Sequence, residues 1–304
     1  MKKEYLFPGK LVVANEPTEI TTILGSCVAV ALRDPKTQIA GLCHYLLDMP
    51  SATDVPSPRY GTFAIPKLIE FLVGLGANRK TLQAKIYGGG NVLGNLSVGK
   101  DIGATNIKVA REILENARIP ILEENVGGTR GRRIVLFTEN FEISHGFMKD
   151  VSQEKNAEVP IRSVPNFSAG GAPRIAIIDN STALCGYFTK LFNKVGFNVV
   201  GTGTDAPEGY DIVFRQKPDL LIIGIQAEEE KGARIIHDLR RFGRIPPIVV
   251  YSFGGAGTEC MRALEYGAVD FVHTPSRFDP NALIVASNIL LEKVSAYLQF
   301  GRAA

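Results

Sequence analysis

Cys27 follows Leu24-Gly25-Ser26 and opens the apolar run Cys27-Val28-Ala29-Val30. A tight turn feeding a strand exposes backbone N–H groups beside the thiol, a placement open to a nucleophilic cysteine. An ordinary thiol, with a pKa of about 8.5, is only a few per cent thiolate at neutral pH, so such a cysteine needs a base or a positive field nearby. His44 is the candidate base. It lies in the apolar stretch after the turn Asp34-Pro35-Lys36-Thr37, so a strand, turn, strand path returns it beside Cys27, whereas His145 falls at the polar C-terminal edge of the same half. Strand alternation sends Cys43 to the face opposite His44 and into a core. The same spacing also fits a buried structural thiol with an unrelated histidine, and spacing alone leaves both readings open.

Other chemistries find less support. Cys27, Cys43, Cys185 and Cys260 are irregularly spaced with no C-x-x-C pair, so neither a zinc site nor a disulfide framework is expected, and a reducing cytoplasm is the expected setting. Gly88-Gly89-Gly90 and Gly127-Gly128 with Gly131 mark loops where backbone turns tightly or approaches something closely. Neither a G-x-x-x-x-G-K-[ST] nor a G-x-G-x-x-G pattern accompanies them, so no nucleotide cofactor is expected. Arg130, Arg132 and Arg133 form a basic cluster that fits a solvated face or a dock for an acidic helix. Overall, 34 basic residues against 31 acidic ones give a formal charge of +3, which provides no electrostatic case for nucleic acid or an anionic membrane. Apolar runs such as 219–225 are far shorter than the ~20 residues of a spanning helix, and the first ten residues lack the apolar centre of a signal peptide.

The elements that must position these residues fall into two sets. The first half has strand-like stretches at 11–14, 27–33, 39–47, 83–87 and 133–137 and helices at 60–75 and 105–117. Asn106 near the start of the second helix and Pro120 beyond its end read as ordinary boundary residues. This pattern predicts an α+β layered sandwich. Between 149 and 173 the periodicity disappears into a stretch holding Pro160, Pro165, Gly170, Gly171 and Pro173, a linker between domains at 1–148 and 174–304. After it, apolar runs at 175–178, 197–200, 219–225, 248–252 and 269–273 are each followed by a helical stretch. Five such pairs predict an α/β doubly wound parallel five-stranded sheet, the flavodoxin-like architecture.

The words around the cysteine and the histidine go further. Thr21-Thr22-Ile23-Leu24-Gly25-Ser26-Cys27, Gly41-Leu42-Cys43-His44-Tyr45, Arg59-Tyr60, Ala84 to Gly89, Ile102-Gly103-Ala104-Thr105-Asn106 and Asn125 to Arg132 together resemble the CheD family, chemoreceptor glutamine deamidases of bacterial chemotaxis, over about residues 5–145. The resemblance implies a cysteine hydrolase with a Cys, His, Thr triad on a layered fold akin to bacterial deamidating toxins. By position, Cys27 is then the nucleophile, His44 the general base and acid, and Thr21 the group orienting the imidazole, with Thr22 as the alternative. The backbone N–H groups of Ser26 and Cys27 are the expected oxyanion donors. The implied reaction is deamidation of glutamine to glutamate through a thioester, with no metal or other cofactor, on the cytoplasmic helices of methyl-accepting chemoreceptors. Glutamyl methyl esters would pass through the same intermediate. A CheC-like phosphatase is an implied partner, and an adaptor that binds receptors or such a phosphatase without catalysis is the competing function. Asp48, Asn125 and Thr129 depart from the family's usual text.

The second half, over about 174–294 and ending in Gly267-Ala268-Val269-Asp270-Phe271, resembles the CheY-like receiver family. Receivers accept a phosphoryl group on an aspartate at the end of the third strand, beside acids that hold Mg²⁺. In this sequence Gly224 stands at the acceptor position, Asp179 and Asn180 at the paired acids, Ser252 at the hydroxyl position and Thr274 at the lysine position. The resemblance therefore implies a receiver without its chemistry, kept for interaction or regulation, with homodimerisation or docking through 248–298. Glu228 to Glu230 are surrogate acids only if a helix start is not reason enough for them.

Overall fold

The computed structural model describes residues 1–50, 55–91, 101–147, 171–225, 231–241, 245–253, 257–274 and 280–300. The chain divides into two compact units, one running to Asp150 and one from Val151 onward. Most of the expected linker at 149–173, and Glu228 to Glu230, lie outside the described residues.

The first unit contains β1 (Lys2–Tyr5), β2 (Lys10–Ala14), β3 (Thr18–Leu24), β4 (Val28–Arg33), β5 (Ala40–Tyr45), helix α1 (Gly61–Gly74), β6 (Gln83–Gly88), helix α2 (Ile102–Asn116), β7 (Ile121–Val126), β8 (Arg132–Phe137) and β9 (Glu142–Phe147). One sheet has the order β1-β3-β8-β9 and the other β2-β5-β4-β6-β7. Alternation in β4 and β5 assigns each face of the second sheet a task. Val28, Val30, Leu32, Cys43 and Tyr45 face the helices, where they pack with Ala64, Ile65, Leu68, Leu72, Ala110 and Leu114. Each fully buried aliphatic side chain of this kind contributes about 1.5–3 kcal/mol. The residues between them, Ala29, Ala31, Leu42 and His44, are equally buried and belong to the other face, which meets the first sheet. The layers are thus helices, sheet and sheet.

Four strands were not legible in the sequence: β1, β3, β7 and β9. β1 is a charged edge, and β9 carries mostly exposed residues. β3 matters most, because Thr18, Thr21 and Thr22 look polar in a hydropathy pattern although their branched side chains suit a strand. A second difference concerns α2. Its N-cap is Asp101, whose Oδ1 accepts from the Ala104 N–H at 3.0 Å, so Asn106 is no boundary residue; it lies one turn inside, fully buried.

The second unit alternates β10 (Arg174–Ile178), α3 (Thr182–Lys194), β11 (Asn198–Gly203), α4 (Ala206–Gln216), β12 (Leu220–Ile225), α5 (Lys231–Arg241), β13 (Ile248–Phe253), α6 (Gly257–Glu265), β14 (Asp270–Thr274) and α7 (Pro280–Phe300). Every pairing in the order β11-β10-β12-β13-β14 is parallel, as the five apolar runs predict. Helices α3 and α7 cover one face through Phe188, Phe192, Leu290 and Val294, packed on Ile175, Ile177, Ile222 and Val249. Among the described residues no helix is long and apolar enough to cross a membrane.

Candidate active site

The hairpin β4–β5 lays the segments that carry Cys27 and His44 side by side. Its antiparallel register pairs Ala29 with His44 and Val28 with Tyr45, so Cys27, one residue before the strand, comes abreast of Leu46. Continued alternation gives Cys27 the face of Ala29 and His44. Cys43 takes the other face, among the residues packed under the helices, and burial pushes its thiol up to about 12. Cys27 is 4% exposed, whereas His44 has no exposed surface.

The opposite sheet supplies the imidazole's partner. Thr22 Oγ1 lies 2.7 Å from His44 Nδ1, and the same hydroxyl donates to the Leu6 carbonyl at 2.7 Å. A threonine hydroxyl has one proton. With that proton given to Leu6, Oγ1 accepts from Nδ1–H, which leaves the lone pair of the neutral ring on Nε2. The expectation that Thr21 orients the imidazole is therefore corrected to Thr22. Successive residues of β3 point to opposite faces, and Thr22 is the one directed between the sheets. Thr21 lies at 8% exposure on the other side, its carbonyl accepting from the Leu6 N–H at 2.8 Å.

Around the thiol the turn is tied down carbonyl by carbonyl. Gly25 O accepts from the Gly90 N–H at 2.8 Å and Cys27 O from the Gly89 N–H at 2.7 Å, while Ser26 O accepts from Asn106 Nδ2 at 3.1 Å. The second proton of that amide goes to Leu46 O at 2.8 Å. The triple glycine thus acts as a backbone clamp. A Cβ on Gly88, which has φ +107°, would come 2.2 Å from Cys27 O, and one on Gly103 would come 2.3 Å from Gly89 O. Neither contact is compatible with a larger residue. Ser26 itself is buried, at 2% exposure.

The basic cluster is smaller than its sequence suggests. Arg130 and Arg133 are exposed, but Arg132 is 1% exposed, because alternation in β8 turns it inward. Its guanidinium binds the main-chain and side-chain oxygens of Asn125 and the carbonyl of Gly127. It therefore closes the second glycine loop, whose Gly127 N–H reaches Gly88 O at 2.9 Å. Phe147 lies under the cations of Arg130 and Arg132 at 4.5 and 5.3 Å.

In the second unit, Asp179 and Gly224 sit at the carboxyl ends of β10 and β12, where doubly wound sheets bind ligands. Asp179 is buried and accepts from the Ser181 N–H at 2.6 Å and from the Tyr251 hydroxyl. Burial raises its carboxyl above the usual range, against the pull of those two bonds. A Cβ on Gly224 would lie 1.7 Å from Asp179 Oδ2 and 2.9 Å from the Tyr251 hydroxyl oxygen, so the space for a side chain there is already filled. Asn180 is exposed, Ser252 is buried with its Oγ 3.0 Å from Cys260 Sγ, and Thr274 ends β14. A receiver's Mg²⁺ does not fit this set, since Asp179 is engaged with Tyr251 and its neighbour is an amide. Among the described residues no three His, Cys, Asp or Glu side chains gather as metal ligands.

The family described as CheD chemotactic sensory transduction matches residues 48–145, a segment beginning after Cys27 and His44. The response regulator receiver domain family matches residues 175–287. The probable chemoreceptor glutamine deamidase CheD 1 of Anaeromyxobacter dehalogenans is 43% identical over 136 residues, 45% of this chain and 79% of the relative. The probable chemoreceptor glutamine deamidase CheD of Sulfurimonas denitrificans is 44% identical over 136 residues, 44% of this chain and 87% of the relative. The solved response regulator domain of Thermotoga maritima CheB is 21% identical, covering 41% of this chain and 96% of its own, with a TM-score of 0.36.

Proposed function

Because the chain belongs to the chemoreceptor glutamine deamidase CheD family, we propose that its first unit hydrolyses glutamine side-chain amides on the helical cytoplasmic part of chemoreceptors, with Cys27 as nucleophile and His44 as base and acid. The observation that carries this reading is the hydrogen bond from His44 Nδ1 to a threonine oxygen whose own proton is committed elsewhere, which leaves Nε2 basic.

His44 Nε2 takes the thiol proton as sulfur attacks the amide carbon, and the C=O electron pair moves onto oxygen. The backbone N–H groups of Ser26 and Cys27 are the donors proposed for that oxyanion. As the C–N bond breaks, the imidazolium returns its proton to the nitrogen and ammonia leaves. Water, deprotonated by the same Nε2, then attacks the thioester, the C–S bond breaks and the thiol recovers its proton. The balance is amide plus water to carboxylate plus ammonium, and no cofactor enters. Each conversion puts a negative charge on a receptor helix where none stood.

Incubation with a receptor cytoplasmic fragment, followed by mass spectrometry for glutamine converted to glutamate, tests the reading. Wild type is expected to convert and Cys27→Ala to convert at no more than the background rate; equal conversion by both would remove the mechanism.

The second unit, on the same proposal, takes up no phosphoryl group and serves interaction or regulation. Gly224 has no side chain to phosphorylate, and the buried pair of Asp179 and Tyr251 occupies the volume an acceptor would need.

A further inference from the structure

Asn106 is a polar residue on the buried face of a helix, beside the apolar Ile107, Val109 and Ala110. An amide there costs helix propensity and desolvation unless its bonds are needed. Both protons of its Nδ2 are used, one on Ser26 O and one on Leu46 O. Ser26 precedes the thiol, and Leu46 lies two residues beyond His44 on the partner strand's path. One amide therefore straddles the segment of the nucleophile and that of the base. The Tyr45 hydroxyl, on the same path, donates to the main-chain oxygen of Asn106 at 2.6 Å and closes the triangle.

Peptide geometry gives this brace a direction. In a planar trans peptide the C=O and the N–H point to opposite sides. Anchoring Ser26 O on the side of α2 turns the Cys27 N–H away from the helix. The flanking carbonyls of Gly25 and Cys27 are held by main-chain N–H groups of Gly90 and Gly89. Of the three consecutive planes, the central one is thus set by a side chain.

Resting on the cysteine-hydrolase reading above, we propose that Asn106 is a positioning residue for the reaction, its amide aiming the Cys27 N–H at the developing oxyanion. The role requires a buried side-chain donor pair, which a carboxylate of the same size does not provide.

Asn106→Asp in the full chain tests this by comparing two reactions at the same sulfur. Deamidation of the receptor fragment builds an oxyanion; alkylation of Cys27 by iodoacetamide, displacing iodide from a methylene carbon, builds none. The expected result is a fall in kcat of about 10²-fold, the usual cost of losing one oxyanion donor, with KM near wild type and with the alkylation rate and its pH profile unchanged. An unaltered kcat overturns the proposal, and so does a parallel loss of alkylation and deamidation, which marks a merely structural role. If Asn106→Asp does not fold, Asn106→Ser, which keeps a single hydroxyl donor, is read in the same way with a smaller fall in kcat. Wild type that alkylates at Cys27 yet converts no glutamine overturns the parent reading and this one with it; wild type that converts glutamine leaves the parent standing whatever Asn106 does.

Discussion

Thr22 has one hydroxyl proton, and its use decides which nitrogen of His44 is protonated. With that proton on Leu6 O, the imidazole must carry its own on Nδ1. Thr22→Val removes the acceptor, so the ring is free to place its proton on either nitrogen. The expected effect is a loss of about tenfold or more in kcat, part of the 10²–10⁴ that a positioned general base supplies. Thr21→Ala, on the other face of β3, should leave kcat close to wild type. Kinetics on the receptor fragment separate the two, and a larger loss for Thr21→Ala would reverse the assignment. The family resemblance put Thr21 in this place with Thr22 as the weaker alternative, and nothing in the local pattern corrects that choice. A strand's faces change with every residue, and β3 gives no hydropathy alternation to set the phase.

At the scale of elements, the β4–β5 hairpin depends on its turn. Burial pushes the Asp34 carboxyl up, but hydrogen bonds from Asn78 N–H, Thr81 Oγ1, Lys36 N–H and Thr37 Oγ1 outweigh this and bring it from 3.8 to about 2. A carboxyl lowered in the folded state stabilises fully above its unfolded value and loses that stabilisation as pH falls through the folded one. Thermal melts between pH 5 and about 2 should therefore show a steeper acid loss for wild type than for Asp34→Asn, which starts less stable and is flatter across the window; parallel curves would count against the turn. The turn was legible from Asp34-Pro35-Lys36-Thr37, and so was Cys43 on the face opposite His44, because chain-local rules govern both. Asn106 was read as a boundary residue, Gly88 to Gly90 as a tight turn or close approach with no partner named, and Arg132 as part of a solvated face or a dock. Asn106 closes on Leu46 and Ser26, 60 and 80 residues away, Gly89 and Gly90 close on Cys27 and Gly25, and Arg132 closes on Asn125 and Gly127 by side-chain bonds; closure of this kind leaves no periodic trace.

At the scale of the molecule, two units made by different rules share one chain. The second unit was legible almost element by element, since strands buried on both faces read as continuous apolar runs. What its sequence did not reveal is that Asp179 and Tyr251 fill the space a side chain at Gly224 would take. Gly224→Asp should accordingly fail to restore phosphorylation: neither it nor wild type is expected to take label from acetyl phosphate with Mg²⁺, and the variant should lose about 1–3 kcal/mol through overpacking against Asp179 and Tyr251. Label on wild type would sink the proposal of a silent receiver, and label on the variant alone would show that Asp179 and Tyr251 do not block an acceptor there. In the first unit, the sulfur and the ring ride on one sheet while the oxygen that decides the ring's tautomer is lent by the other. The machinery is for that reason not portable. A β4–β5 hairpin transplanted into another scaffold would carry a cysteine and a histidine at the same spacing yet arrive without the neighbour that tells the imidazole which nitrogen to keep bare.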